Sequence, residues 1–342
     1  AIDSAYFEGD ASRESIYTKN KLKKLLEQID DDIERYHKEI DGVDSMSIIK
    51  GSSDKMRDKI ARLGEYKKNL SKLQKEIKDG NVKQVSLTDE DARLLSKPTD
   101  KGPTVGYAVQ NVVDSKHKLI VTSEITVDCS DQNALIPALQ SAKEILEVDT
   151  LIALADGGYY SGENIVKCEN EKVDLYMPLP DNGKVQRKAN MYETSDFIYD
   201  KSRDEYKCPM GKTLKNSRTA SNRGVTYKRY RCLVSACKNC VNRSKCLSPK
   251  ARSKEIDRSE FQDAVERHRV KMKYAGGEMM RKRSGIVEHP FGTLKLWLGW
   301  THFLVRGIEK VKGEMALLTT AYNFKRVLNI IGIENFIAAC NA

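Results

Sequence analysis

The stretch that most constrains the fold is Asp149 to Asn164, DTLIALADGGYYSGEN. Leu151 to Ala155 is an apolar run long enough for one buried strand and too short for a stable helix. It ends in Asp156, followed at once by Gly157 and Gly158, and Ser161 then stands where a helix N-cap belongs. An acid at the carboxyl end of a buried strand, beside sharply bent backbone, lies at the rim of a sheet where ligands bind. Taken alone, the stretch reads more simply as a surface turn after a core strand. The glycines fit neither GxGxxG nor a P-loop, which argues against a nucleotide loop. Asp156 gains weight because two further acids fall into step with it.

Asp3 is the first of these, in AIDSAYFEGDASRE, where a short apolar lead precedes it and polar turn residues follow. It alone follows an apolar lead at the start of the fold, which ranks it above the competing acids Asp10, Asp89, Asp91 and Asp114. Two long helices come next. Leu22, Leu26, Ile29, Ile33, Tyr36 and Ile40 are spaced alternately four and three, and Met56, Ile60, Leu63, Tyr66, Leu70, Leu73 and Ile77 keep nearly the same rhythm. With Gly42 to Asp54 as connector, this is an antiparallel helical hairpin with a coiled-coil-like seam. From Val105 the period changes to two, giving a β-hairpin that turns at Asp114 to Lys118. Leu135 to Leu146 reads as a helix, and Val173 to Met177 as a strand after that of Asp156.

Glu288 is the third acid, in SGIVEHPFGTLKLWLGW. Pro290 fits the first turn of a helix, which places Glu288 at or just before a helix start. Lys295, seven residues on, then projects from nearly the same face. His289 reads as a surface or helix-start residue rather than a metal ligand. The closing helix, Val311 to Ile331, carries core residues.

The chain holds 39% hydrophobic residues, enough for a core, and 32% charged ones. No run of about 18 apolar residues exists, so no membrane span is expected. Its net charge of +10 is uneven: Lys201 to Arg283 has 24 Lys and Arg against 8 Asp and Glu, a net of +16, leaving about −6 elsewhere. A basic block of that size is an electrostatic footprint for a polyanion, and nucleic acid fits it better than membrane. The same block holds five of the eight cysteines: Cys208, Cys232, Cys237, Cys240 and Cys246. Cys237 and Cys240 form a CxxC pair. With Cys208 and Cys246, and Cys232 as a substitute, they can wrap one tetrahedral zinc ion. Reduced structural cysteines are the alternative; disulfides are disfavoured because nothing marks the chain as secreted. Cys129, Cys168 and Cys340 read as isolated.

Four segments in order, AIDSAYFEGDASRE, VGYAVQNVVDSKHKLIV, LIALADGGYY and IVEHPFGTLK, together resemble bacterial insertion-sequence transposases of the DDE, ribonuclease H-like type. The likeness is greatest to a subgroup with a cysteine-bearing insertion before the catalytic Glu, matching YKCPMGKTL and CKNCVNRSKC. It runs from residue 1 to about 332. The resemblance implies catalytic, metal-holding acids at Asp3, Asp156 and Glu288, with Lys295 on a DNA phosphate and Arg281 and Arg283 as further DNA contacts. The family's Arg four residues before the Glu is replaced here by Ser284, with Arg283 one step off. The family's end-binding region ahead of the first Asp has no counterpart, so the chain reads as an N-terminally shortened copy.

The resemblance further implies an α/β fold: a ribonuclease H-like mixed sheet flanked by helices, with two insertions. The expected divisions are 1–15 for the first strand, 16–85 for the helical hairpin and 86–181 for the catalytic core. A basic Cys-rich insertion at 182–275 and C-terminal catalytic helices at 276–342 complete them. Mg²⁺ or Mn²⁺ is the expected cofactor, with zinc as a structural ion. DNA, as transposon ends and target, is the expected partner, bound by a homodimer in the bacterial cytoplasm at the nucleoid. The rival readings are a catalytically inactive or domesticated DNA-binding remnant and a ribonuclease H-like nuclease.

Overall fold

The computed structural model describes residues 1–44, 50–79, 84–95, 102–128 and 130–341, so Cys129 and the centre of the helix connector lie outside the described residues. In chain order the strands and helices are β1 (Ile2–Glu8), β2 (Ile16–Thr18), α1 (Lys19–Asp44), α2 (Lys50–Asp79), β3 (Gln84–Ser86), β4 (Arg93–Leu95), β5 (Thr104–Val113) and β6 (Ile120–Thr126). There follow α3 (Leu135–Leu146), β7 (Leu151–Leu154), α4 (Gly162–Asn170), β8 (Val173–Tyr176) and α5 (Lys184–Lys188). The basic block supplies β9 (Ile198–Asp200), β10 (Glu205–Lys207), β11 (Thr213–Asn222), β12 (Val225–Cys232), α6 (Val234–Lys238), α7 (Arg243–Cys246) and β13 (Glu255–Ser259). The chain closes with α8 (Gln262–Gly292), α9 (Ile308–Ile331) and α10 (Ile333–Cys340). The fold is mixed α/β. Two compact units divide it, one of Asp3–Asp131 with Ile286–Ala342, the other of Ala1–Ile2 with Gln132–Gly285.

In the first unit β5 is the central strand, with β1, β4 and β6 hydrogen-bonded around it. Val105 to Val113 are all buried, so both faces of this strand are covered, although the period-two pattern from Val105 marks it as a strand. Phe7, Tyr107, Val109, Phe303, Val311, Met315 and Tyr322 form the core against which α9 lies. Gly106 lets β1 approach β5 closely. A Cβ on it would stand 2.0 Å from the Phe7 carbonyl oxygen and 2.6 Å from the Gly9 nitrogen. The long helices α1 and α2 pack through Leu22, Ile29, Leu70 and Ile77, all buried, with Leu26, Ile33, Leu63 and Leu73 alongside. Both helices extend into the stretch expected to be connector. The short ladder of β2 and β3, with Thr18 opposite Gln84, was not legible in the sequence.

In the second unit β7 and β8 form a parallel two-stranded sheet. Ala153 and Leu154 are buried, but Ile152 is 62% exposed, so the expected wholly buried strand is buried only toward its carboxyl end. The basic block folds into a five-stranded antiparallel sheet, in the order β13-β12-β11-β10-β9. Its core is Phe197, Tyr206, Leu214, Tyr230, Leu247 and Ile256 with two cysteines. Arg258 is buried beneath it, donating to Tyr206 Oη at 2.9 Å and Glu266 Oε1 at 2.6 Å. The expected division between 275 and 276 falls inside α8.

Asp204 ties this sheet together by accepting hydrogen bonds from Tyr199 Oη, Tyr230 Oη and Lys228 Nζ. The Tyr199 hydroxyl, then the Tyr230 hydroxyl and the Lys228 ammonium, pull its carboxyl down from 3.8 to about 2. A depressed carboxyl stabilises the fold fully above its ordinary value and loses that contribution as pH falls toward the folded one. Asp204→Asn is therefore expected to lower stability at pH 7 by about 1–2 kcal/mol, the side chain's solvent exposure keeping the effect modest. The difference from wild type should shrink between pH 4 and pH 2, as denaturant titrations of both proteins at several pH values would read; a gap independent of pH would refute it.

Candidate active site

Asp156 follows β7 with extended backbone, φ −85° and ψ 174°, and caps a single 3-10 turn, Gly157–Tyr159. Its Oδ1 accepts the Gly158 N–H at 2.6 Å. The turn is held from behind by Asn164, whose Nδ2 donates to the carbonyls of Tyr159 at 2.9 Å and Gln132 at 2.8 Å. Ser161 caps α4 by accepting the Asn164 N–H at 3.0 Å. Ala155 extends the ladder by donating to the Tyr176 carbonyl. The carboxylate is thus held by fixed backbone while its other oxygen faces Arg283 of α8 at 3.9 Å. Arg281 is exposed on the same helix, and Lys282 pairs with Glu278 at 2.6 Å.

In the first unit Asp3 is the second residue of β1, and its Oδ1 accepts the Ser4 N–H at 2.9 Å. The Ser4 hydroxyl donates to Asp131 Oδ2 at 3.0 Å, and the buried Gln110 Nε2 donates to Asp131 Oδ1 at 2.7 Å. Asp131 is therefore an acid held against β1 through Ser4, the residue after Asp3, that sequence reasoning missed, because only the pairing of β1 with β5 reveals it. The four acids that compete with Asp3 all have structural partners. Asp10 pairs with Arg306 at 2.8 Å. Asp89 is buried, accepting the Tyr107 hydroxyl at 2.8 and 2.9 Å and the Gly307 N–H at 3.1 Å. Asp91 accepts the Ile308 N–H at the start of α9, and Asp114 accepts the His117 N–H in its turn.

Glu288 lies one turn from the end of α8, not at a helix start, and this corrects the expectation drawn from Pro290. Pro290 cannot donate to the carbonyl of Ile286. Burial of Ile286, Val287, Pro290 and Leu294 offsets the lost bond, and a π turn, Thr293–Trp297, follows at once. Such widened turns accompany an interrupted i→i−4 ladder. Lys295 therefore stands on the π turn rather than two α turns along. Its Nζ donates to the Tyr6 carbonyl at 2.6 Å and sits 4.4 Å from the Phe7 ring centre. The Tyr322 hydroxyl donates to the Lys118 carbonyl, so His289 Nδ1 is the donor in the 2.8 Å bond between His289 and Tyr322. Burial, then the nearby Arg326, lowers the His289 pKa.

Asp3, Glu288 and Lys295 thus belong to one unit, and Asp156, Arg281 and Arg283 to the other. Carboxylate oxygens suit a hard divalent ion. The Asp156 side chain, 38% exposed, keeps one oxygen clear of its capping bond. Among the described residues no three His, Cys, Asp or Glu side chains already stand in metal-ligating geometry. All five cysteines of the basic block are free thiols and line one cavity. Among the described residues no helix is long and apolar enough to cross a membrane.

A family model described as a transposase DDE domain matches residues 207–328. The matched segment contains Cys208 to Cys246, Arg281, Arg283, Glu288 and Lys295, whereas Asp3 and Asp156 precede it. Searches of curated proteins and of solved structures find no match. Over about a third of its length the chain is therefore similar to the transposase DDE domain, and this likeness supports a DDE-type transposase acting in DNA cleavage during transposition.

Proposed function

We propose that the chain is a metal-dependent DNA transposase that cuts strands at the ends of an insertion sequence and transfers them to a target. The observation that carries this reading is the transposase DDE match over the segment holding Glu288 and Lys295. A ribonuclease H-like core, with the helix pair and the basic Cys-rich block as insertions, is the architecture that goes with it. Asp3, Asp156 and Glu288 are the proposed metal-holding acids. Two divalent ions, when bound, would activate the attacking oxygen and stabilise the leaving one. Asp3 is preferred to Asp10, Asp89, Asp91 and Asp114 because it alone follows an apolar lead at the start of the fold.

The protein's own part is to orient the acids and hold the DNA. Asp156 is fixed by the Gly158 N–H, and Arg283 balances its charge. The block from Lys201 to Arg283 supplies backbone affinity, and β11 offers it an exposed strand, with Lys215 to Asn222 all exposed. Lys295 would exchange the Tyr6 carbonyl for a DNA phosphate, as a point charge. Lys295→Ala is expected to lower cleavage by about ten- to a hundredfold while leaving most of the affinity. Single-turnover cleavage beside a binding titration would check this, and an unchanged cleavage rate would remove Lys295 from the site.

The test is incubation of the complete gene product with duplexes carrying the DNA that borders its coding sequence, in Mg²⁺ and in Mn²⁺. Cleavage at the element's boundary leaving a 3′-hydroxyl is the expected result. Binding without cutting in either metal would put the DNA-binding remnant in its place. Cutting of RNA–DNA hybrids with no preference for the element's ends would favour a ribonuclease H-like nuclease.

A further inference from the structure

Five free thiols from separate parts of the basic block meet at one cavity. Cys208 comes from the turn after β10, Cys232 from the end of β12, Cys237 from α6, Cys240 from the turn after it, and Cys246 from the end of α7. The cavity measures about 30 Å³ and is also lined by apolar groups such as Pro209, Met210, Ala236 and Leu247. That is room for one small ion and not for an organic ligand. We propose that Cys208, Cys237, Cys240 and Cys246 hold a structural zinc ion here, with Cys232 as a packing thiol beside it.

An independent observation points to a ligand at Cys208. The turn from Cys208 to Lys212 closes with Cys208 N–H donating to the Lys212 carbonyl at 2.8 Å and Gly211 N–H to the Cys208 carbonyl at 2.8 Å. Gly211 takes φ +72°, which only glycine adopts freely, and this aims the Lys212 N–H at Cys208 Sγ, at 3.2 Å. A backbone N–H held on a sulfur orients it as the outer shell of a metal site does. Lys212, Arg243 and Lys254 also line the cavity. Three cations there suit four thiolates, whose charge exceeds that of one zinc ion by two.

The choice of four among five follows from where each thiol is anchored. Cys232 is locked by the β12 ladder opposite Leu214 and is 4% exposed. The other four sit on turns and on helices of four or five residues, which can shift more readily than a strand toward Zn–S bonds of about 2.3 Å. Among the described residues no three thiols stand in ligating geometry, so the proposed site requires the turns that carry them to draw together. The site would replace hydrophobic burial that so small a sheet lacks.

The experiment measures zinc by elemental analysis in the full chain purified without chelator, and then follows cobalt substitution after zinc removal. One zinc per chain, tetrahedral thiolate-to-cobalt absorption, and four thiols that become reactive only on chelation are expected. Cys232→Ala should keep the metal, and Cys240→Ser should lose it and melt at lower temperature. Zinc-free protein with an intact fold and freely reactive thiols would overturn the proposal, and loss of the metal in Cys232→Ala with its retention in Cys246→Ala would overturn the ligand set. Neither outcome touches the transposase reading, which rests on other residues.

Discussion

Glu288→Gln is expected to keep the fold and nearly all DNA affinity while lowering metal-dependent strand cleavage by on the order of a thousandfold or more, which corresponds to about 4 kcal/mol of transition-state stabilisation. The carboxylate is exposed near the end of α8 and makes no hydrogen bond or ion pair among the described residues, so an amide of the same shape disturbs nothing there. A neutral amide is nevertheless a much poorer ligand for a hard divalent ion. Affinity should persist because, on the proposed reading, the basic block rather than the acids would contact the phosphate backbone. Asp156→Asn and Asp3→Asn belong to the same experiment, since an amide oxygen can still accept the Gly158 and Ser4 N–H groups. Asp89→Asn supplies the contrast. It removes charge from a buried group that accepts the Tyr107 hydroxyl, so it should lower the melting temperature, with cleavage by the folded fraction retained. Single-turnover cleavage and equilibrium binding measured on all four variants decide the matter. Wild-type cleavage by Glu288→Gln would sink the assignment.

Gly106→Ala should be the most damaging single methyl in the first unit. Its Cβ would lie 2.0 Å from Phe7 O, 2.6 Å from Gly9 N and 2.9 Å from the Glu8 carbonyl carbon. All three are backbone atoms, so no side chain can swing aside, and β1 would have to leave β5 or distort. A loss of about 3–5 kcal/mol is expected, at or above the upper end for overpacking. Gly64→Ala is the matched control. Gly64 lies inside α2, and a methyl added there would meet nothing within 4 Å, so alanine should stabilise by about 0.5–1 kcal/mol. Thermal unfolding of both variants reads the contrast; if Gly106→Ala melts with wild type, β1 and β5 do not approach each other this closely. Because β1 carries Asp3, the same substitution should also cost activity.

What could be read from the sequence was local. The Ser161 cap, the seams of α1 and α2 and the turn at Asp156 each follow from residues within a few positions of one another, and periodicity is sensitive to that range. Pro290 misled for the opposite reason. Proline is a helix-start signal because its missing N–H is an orphan there, but apolar burial around Ile286 and Leu294 carries the helix past it. Asp131 was invisible because its link to Ser4 spans 127 positions, and Lys295 reaches a carbonyl 289 positions earlier. The cysteine spacing showed that a cluster was feasible, yet the shared cavity needed the β10–β12 strands to bring Cys208 beside the CxxC pair.

The ladder between β2 and β3 has a consequence for how such a chain can change over time. Thr18 and Gln84 face each other, so the two feet of the helical arm leave the body of the first unit one strand spacing apart. From the core's side the entire arm is equivalent to the loop of a β-hairpin. Lengthening such a loop is thermodynamically mild, about 0.6 kcal/mol for each doubling. The arm can therefore be extended, trimmed to a tight turn or exchanged for another module without moving β1 or β5, which makes it the natural place for a lineage to acquire new partners while its chemistry stays fixed.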